Sequence, residues 1–141
     1  MATTMHAHIE YRTKDGDWLH YAAPDVKADY RLFSIVAGIR SETTGIRRPL
    51  AAPRGLPPDL SEVTRISYGL DKDNGSLKGE TWLGADEFVR LQERWNELNP
   101  GLGSLEKDFE ETVFSTYGPG GTAIATHNGF EDARVVFWFE D

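Results

Sequence analysis

No cysteine occurs among the 141 residues, which excludes disulfides, a thiolate nucleophile and zinc–thiolate clusters and agrees with a reducing compartment. No stretch approaches the ~20 apolar residues a membrane helix requires, and Met1-Ala2-Thr3-Thr4-Met5-His6 has neither the basic region nor the apolar core of a signal peptide. The expectation is a cytoplasmic chain without a membrane partner. Basic residues are also scarce: 15 Lys and Arg against 23 Asp and Glu give a formal charge of −8. That field repels phosphate backbones and disfavours general nucleic-acid binding. A small anionic ligand is different, because two or three arginines and backbone N–H groups in one pocket suffice to hold it. Missing as well are a Gly-x-Ser-x-Gly elbow, a Walker loop and a Gly-x-Gly-x-x-Gly turn, and the cluster Gly118-Pro119-Gly120-Gly121 lacks a following helix to cradle phosphate. The reading is therefore of a non-enzyme that needs no cofactor.

What the chain does have is the material for one core. Four Trp, five Tyr and seven Phe stand within a 39% hydrophobic composition, far from that of disordered chains. Met5, Ala7, Ile9 and Tyr11 alternate with His6, His8, Glu10 and Arg12, the period of a half-buried strand. Asp15-Gly16 supplies a hairpin turn, and residues 18–22 return as the second strand before Pro24. Residues 1–4 are expected to be flexible. Tyr30, Leu32, Phe33, Ile35, Val36, Ala37 and Ile39 predict a largely buried helix over 28–40, with Asp29 as cap. Residues 41–58, with four prolines, predict a long ordered loop. Asp59 is placed to cap a short helix through Leu60, Val63 and Ile66, and 71–76 reads as an exposed turn. Phe88, Leu91, Trp95 and Leu98 predict a helix over 85–98, and Leu105, Phe109 and Val113 suggest another. A short strand is expected at 122–126, and the run Val135 to Phe139, apolar on both faces, predicts a central strand. The economical assembly is a single α+β domain, with an antiparallel sheet built from the N-terminal hairpin and C-terminal strands and packed against three to four helices.

Two groups of residues offer chemistry. His6 and His8 share a strand face, and His20 on the next strand can converge with them on a metal. The spacing lacks further ligands, so a solvated strand face is the plainer reading. His127 and the acidic pairs Glu110-Glu111 and Glu140-Asp141 read in the same way as exposed residues. The loop carries more: Arg40 at a helix end, Arg47 and Arg48 nearby, and Arg54 before Gly55, whose missing Cβ lets a ligand approach the backbone. These arginines either hold an anion or tie the loop to helix carbonyls and carboxylates.

The blocks Asp29-Tyr30-Arg31-Leu32-Phe33-Ser34-Ile35-Val36-Ala37-Gly38-Ile39-Arg40, Arg54-Gly55-Leu56-Pro57-Pro58-Asp59-Leu60-Ser61, Trp82-Leu83 and Arg134-Val135-Val136-Phe137-Trp138-Phe139-Glu140-Asp141 occur in that order over most of the chain. In this the chain resembles a widespread group of small bacteriophage proteins, mostly without an assigned activity. Many members carry His-Ser-His-Ser before Trp-Leu, where this chain has Leu77-Lys78-Gly79-Glu80-Thr81, so no role of those histidines carries over. The resemblance implies a phage protein acting in the host bacterial cytoplasm. Small phage proteins without enzyme signatures commonly act on host defence. The expectation is a binder that sequesters an immune signalling nucleotide, cyclic or of ADP-ribose type. Arg40, Arg47, Arg48, Arg54 and Gly55 would take the phosphates, and Trp82 or Tyr30 would stack on the base, unless those rings are core packing. The alternatives are an inhibitor that binds a host defence or nucleic-acid-processing protein, and a metal-dependent nucleotide hydrolase. A homo-oligomer is compatible with each.

Overall fold

The computed structural model describes residues 2–23, 26, 28, 30–46, 49–50, 53–84, 87, 90–91, 93–94, 97 and 130–141. They form an α+β arrangement of a four-stranded antiparallel sheet and helices. The strands are β1 (Thr4–Thr13), β2 (Trp18–Ala22), β3 (Leu77–Gly84) and β4 (Phe130–Glu140), in the spatial order β2-β1-β4-β3. The hairpin turn forms at Asp15-Gly16, where Gly16 takes φ +92° and its N–H donates to Thr13 O at 3.0 Å. β4 is central, as its apolar run requires, and runs antiparallel to β1 from Thr4↔Glu140 to Thr13↔Phe130.

The two sheet faces differ in chemistry because the strand residues alternate. One face carries Met5, Ala7, Ile9 and Tyr11 of β1 and Ala133, Val135, Phe137 and Phe139 of β4, all buried. Against it packs α1 (Tyr30–Ala37), whose Leu32, Phe33, Ile35 and Val36 are at most 1% exposed. The helix is shorter than the 28–40 expected, and Gly38 and Arg40 beyond its end both take left-handed backbone angles. The opposite face presents His6, His8, Glu10, Arg134 and Trp138, and α3 (Glu62–Asn74) lies over it. There Trp138 Nε1 donates to Asp71 at 3.0 Å and Tyr68 meets the Trp138 ring edge-on.

Several expectations need correction. The cap of α3 is Ser61, whose Oγ accepts from Thr64 N–H, because Asp59 is taken by Arg134. The polar run 71–74 continues the helix instead of turning, since Asp71 is an inward-facing partner of the sheet. Residues 77–84 make a full strand. Within 41–58 lies a short helix, α2 (Ser41–Thr44). Thr3, expected to be flexible, is fully buried and donates from Oγ1 to Asp141 at 2.7 Å. Glu87, Arg90, Leu91, Glu93, Arg94 and Glu97 are helical, in keeping with the helix read over 85–98. The helix proposed after Ser104, the strand at 122–126 and His127 lie outside the described residues.

Candidate functional site

All four strands contribute to a cavity of about 370 Å³ at one end of the polar sheet face. Arg12 closes β1, Trp18 opens β2, Asp132 and Arg134 open β4, Trp82 and Gly84 close β3, and Pro57, Pro58 and Asp59 form the remaining wall. The antiparallel pairing Arg12↔Trp18, Arg12↔Asp132 and Gly84↔Arg134 brings these distant residues together.

The floor is held by a buried charge network. Glu10 is fully buried, and its Oε1 accepts from Arg134 Nε at 2.7 Å while its Oε2 accepts from Ser61 N–H at 2.8 Å. Arg134 also donates to Asp59 Oδ1 at 2.8 Å and Asp59 O at 3.2 Å. Its guanidinium carbon lies 3.9 Å from the centre of the Trp18 ring, close cation–π contact. Partial desolvation pushes the Asp59 carboxyl up, but the hydrogen bonds and charge of Arg134 outweigh it and leave the group below its ordinary value. Asp59 is thus a fixed acceptor and not a proton donor.

Arg12 is the cation with spare capacity. Its nearest carboxylate oxygen, on Glu131, stands 3.9 Å away, and its Nε is buried without a hydrogen-bond partner among the described residues. Its guanidinium lies 5.8 Å from the Trp18 ring.

Of the residues singled out from sequence, Arg54, Gly55 and Trp82 come together. The Arg54 guanidinium lies 4.7 Å from the Trp82 ring, donates from Nη1 to Trp82 O at 3.3 Å, and makes a two-pronged ion pair with Glu87. Glu87 is pushed up by desolvation, yet its bonds from Arg54 and from Gly84 N–H leave it below the usual carboxylate range. Gly55 takes φ +77° and donates to Glu80 O at 2.9 Å, so glycine serves the backbone turn against β3. Arg40 and Tyr30 form a separate pair near the other end of β4. There the guanidinium is 5.0 Å from the Tyr30 ring and donates from Nε to Thr3 Oγ1 at 2.9 Å, near Asp141. Arg40 and Arg54 therefore do not converge, and Arg47 and Arg48 lie outside the described residues. Arg12, Trp18 and Arg134 were missed as site residues. Their signal was in the sequence, since Arg12 and Trp18 flank the Asp15-Gly16 turn and must be neighbours in the hairpin.

The histidines do share a face. His8 Nδ1 and His20 Nε2 are 3.0 Å apart, and His8 stacks on Trp138 with ring centres 5.0 Å apart. Burial, and secondarily the charge of His20, lowers His8 from 6.5 to about 4, and burial lowers His20 as well. His6 instead sits between Glu140, at 2.9 Å from Nε2, and Asp71, at 3.6 Å from Nδ1. Among the described residues no group of three or more His, Asp or Glu is arranged to hold a metal ion.

No family model, curated protein or solved structure matches the chain.

Proposed function

We propose that the chain is a non-catalytic binder that captures a small anionic aromatic ligand of the nucleotide class in the Arg12–Trp18–Trp82 cavity. The observation that carries this reading is that Arg12 lines that cavity beside Trp18, with its nearest carboxylate among the described residues 3.9 Å away. A planar base would stack on the ring surface of Trp18 or Trp82 that Arg134 and Arg54 do not cover, and a phosphate has Arg12 to bind, which is the pairing of stacking and charge that nucleotide sites use. The volume lies at the small end of ligand sites, roughly 300–1,000 Å³, and favours one nucleotide unit over a cyclic trinucleotide. Among the described residues the lining includes no serine, histidine or lysine, and the carboxylate of Asp59 is held ionised by Arg134, which suits holding a ligand better than proton transfer. In the setting that the phage resemblance implies, such a binder sequesters a host immune signalling nucleotide.

The test is thermal denaturation with nucleoside monophosphates, cyclic mononucleotides, ADP-ribose and cyclic dinucleotides. A ligand at a hundredfold excess over its dissociation constant adds about 2.7 kcal/mol of stability and raises Tm clearly. Arg12→Ala is expected to abolish most of that rise while leaving the unliganded Tm nearly unchanged, and the bound molecule should be recovered chemically intact. A flat response across the whole panel would remove the nucleotide reading and leave the protein-binding inhibitor in its place.

A further inference from the structure

β2 reads Trp18-Leu19-His20-Tyr21-Ala22, with no charge, proline or glycine. Edge strands of monomers are usually blunted by such residues, because their free N–H and C=O groups template pairing with another chain. The other edge of the described sheet is covered: Gly55 N–H bonds Glu80 O, and Arg54 N–H bonds Thr81 Oγ1, along β3. Among the described residues no strand pairs with the outer side of β2. On the α1 face of the sheet Leu19 and Tyr21 stay 49% and 53% exposed.

The helix above this edge has a matching feature. Val63, Ile66 and Leu70 of α3 are 52%, 50% and 58% exposed and, spaced three and four apart, share one flank of the helix. That flank is turned toward β2. Tyr68, on the opposite flank, meets Trp138 of β4 and feels the charge of Glu80 in β3. Ser67, on the stripe's side of the helix, borders a cavity with Ala23 and Val26, just past the end of β2. Apolar side chains therefore project above and below the same unpaired edge.

We propose that this edge is a homodimer interface, in which a second copy adds its β2 antiparallel to the first about a two-fold axis at His20. In that register Leu19 faces Tyr21 of the second copy, Tyr21 faces its Leu19, and Trp18 faces its Ala22. Each side-chain pair is favourable, and no charge in either strand is desolvated. The surface is complementary to itself, as a two-fold contact demands. The helices fit as well. Packed helices lie 8–10 Å apart, about two strand widths of 4.8 Å, so two helices that each lie half a strand inward of the paired edge, between β2 and the β1 residues Glu10 and His6 that α3 contacts, meet through their facing flanks. Five half-exposed large side chains per copy bring the joined surface to the order of the ~1,000 Å² at which specific interfaces begin.

Sedimentation equilibrium of the full chain over the micromolar range should give twice the chain mass. Leu19→Lys and Leu70→Glu each alter an exposed position and should weaken self-association at least tenfold while cooperative melting persists. Because the chain has no cysteine, mixing Leu19→Cys with Tyr21→Cys protein under mild oxidation should yield a disulfide-linked pair, and either variant alone much less. A monomer throughout that range, a dimer indifferent to both charged variants, or a mixture that fails to cross-link would overturn the assignment.

Discussion

His8 is almost completely enclosed, at 8% exposure, between His20 and Trp138. Its pKa of about 4 in the fold against the ordinary 6.5 of an imidazole means that the unfolded chain binds this proton more readily than the folded one. Stability is then fully present above pH 6.5 and is lost as pH falls from there toward 4, by roughly 2–3 kcal/mol over that interval. Urea melts at a series of pH values should show this slope, and His8→Gln should flatten it; a wild-type profile level between pH 6.5 and 4.5 would refute the assignment. At this scale the sequence was legible in part. The period of two placed His6, His8 and His20 on one face, but it gave no sign that α3 would cover them and convert a strand face of solvated look into an interlayer. The arginines show the same limit. Arg54 and Trp82 were each singled out in the sequence, though not as partners of one another, whereas Arg134 appeared only as the first residue of an apolar strand, and its role follows from where β4 lies.

Among the elements, α3 owes its place to polar contacts more than to burial of an apolar stripe. Thr64 is its buried residue, while Val63, Ile66 and Leu70 face outward. The helix start is fastened by Ser61 N–H on Glu10, and the far turn by Asp71 on Trp138 and His6. Removing Glu10 leaves the Arg134 guanidinium buried with its main counter-charge gone, a loss of the kind that costs about 3–5 kcal/mol. Glu10→Ala is therefore expected to lower stability by that amount in chemical denaturation. Asp59→Ala, at an exposed carboxylate on the same arginine, should cost under about 1 kcal/mol. Equal losses from the two would mean that the network is not organised around Glu10. This is also why the helix was misread from sequence. Apolar periodicity marks the face a helix buries only when burial is apolar, and here Leu60, Val63 and Ile66 suggested a short element while the inward residues were Thr64, Tyr68 and Asp71. α1 was legible because the ordinary rule applies to it.

Across the whole molecule the two layers have unlike cores, apolar under α1 and hydrogen-bonded under α3, and both rest on β4. Deleting residues 133–141 removes the central strand, including Phe137, Trp138 and Phe139, all fully buried. Circular dichroism of the shortened chain should show no cooperative thermal transition, and a melt near that of the full chain would rule out the central placement. The class of fold and the partnership of the first and last strands were readable from patterning alone, because a strand apolar on both faces belongs inside a sheet. The cavity was not, since it is made where four strand ends and a proline loop meet and no local signal encodes that meeting. The same closure of Thr4 onto Glu140 bears on how the chain acquires its shape. Contacts between residues so remote along the chain raise the contact order, and such topologies form slowly, in milliseconds to seconds, because the entropy of closing a long loop must be overcome before its contacts form. During translation β1 and β2 emerge before β4, as a hairpin that is marginal in water on its own, and their pairing with β4 must wait until it arrives. Through that interval the uncharged β2 edge lies open, so the nascent hairpin is exposed to mispairing with other chains.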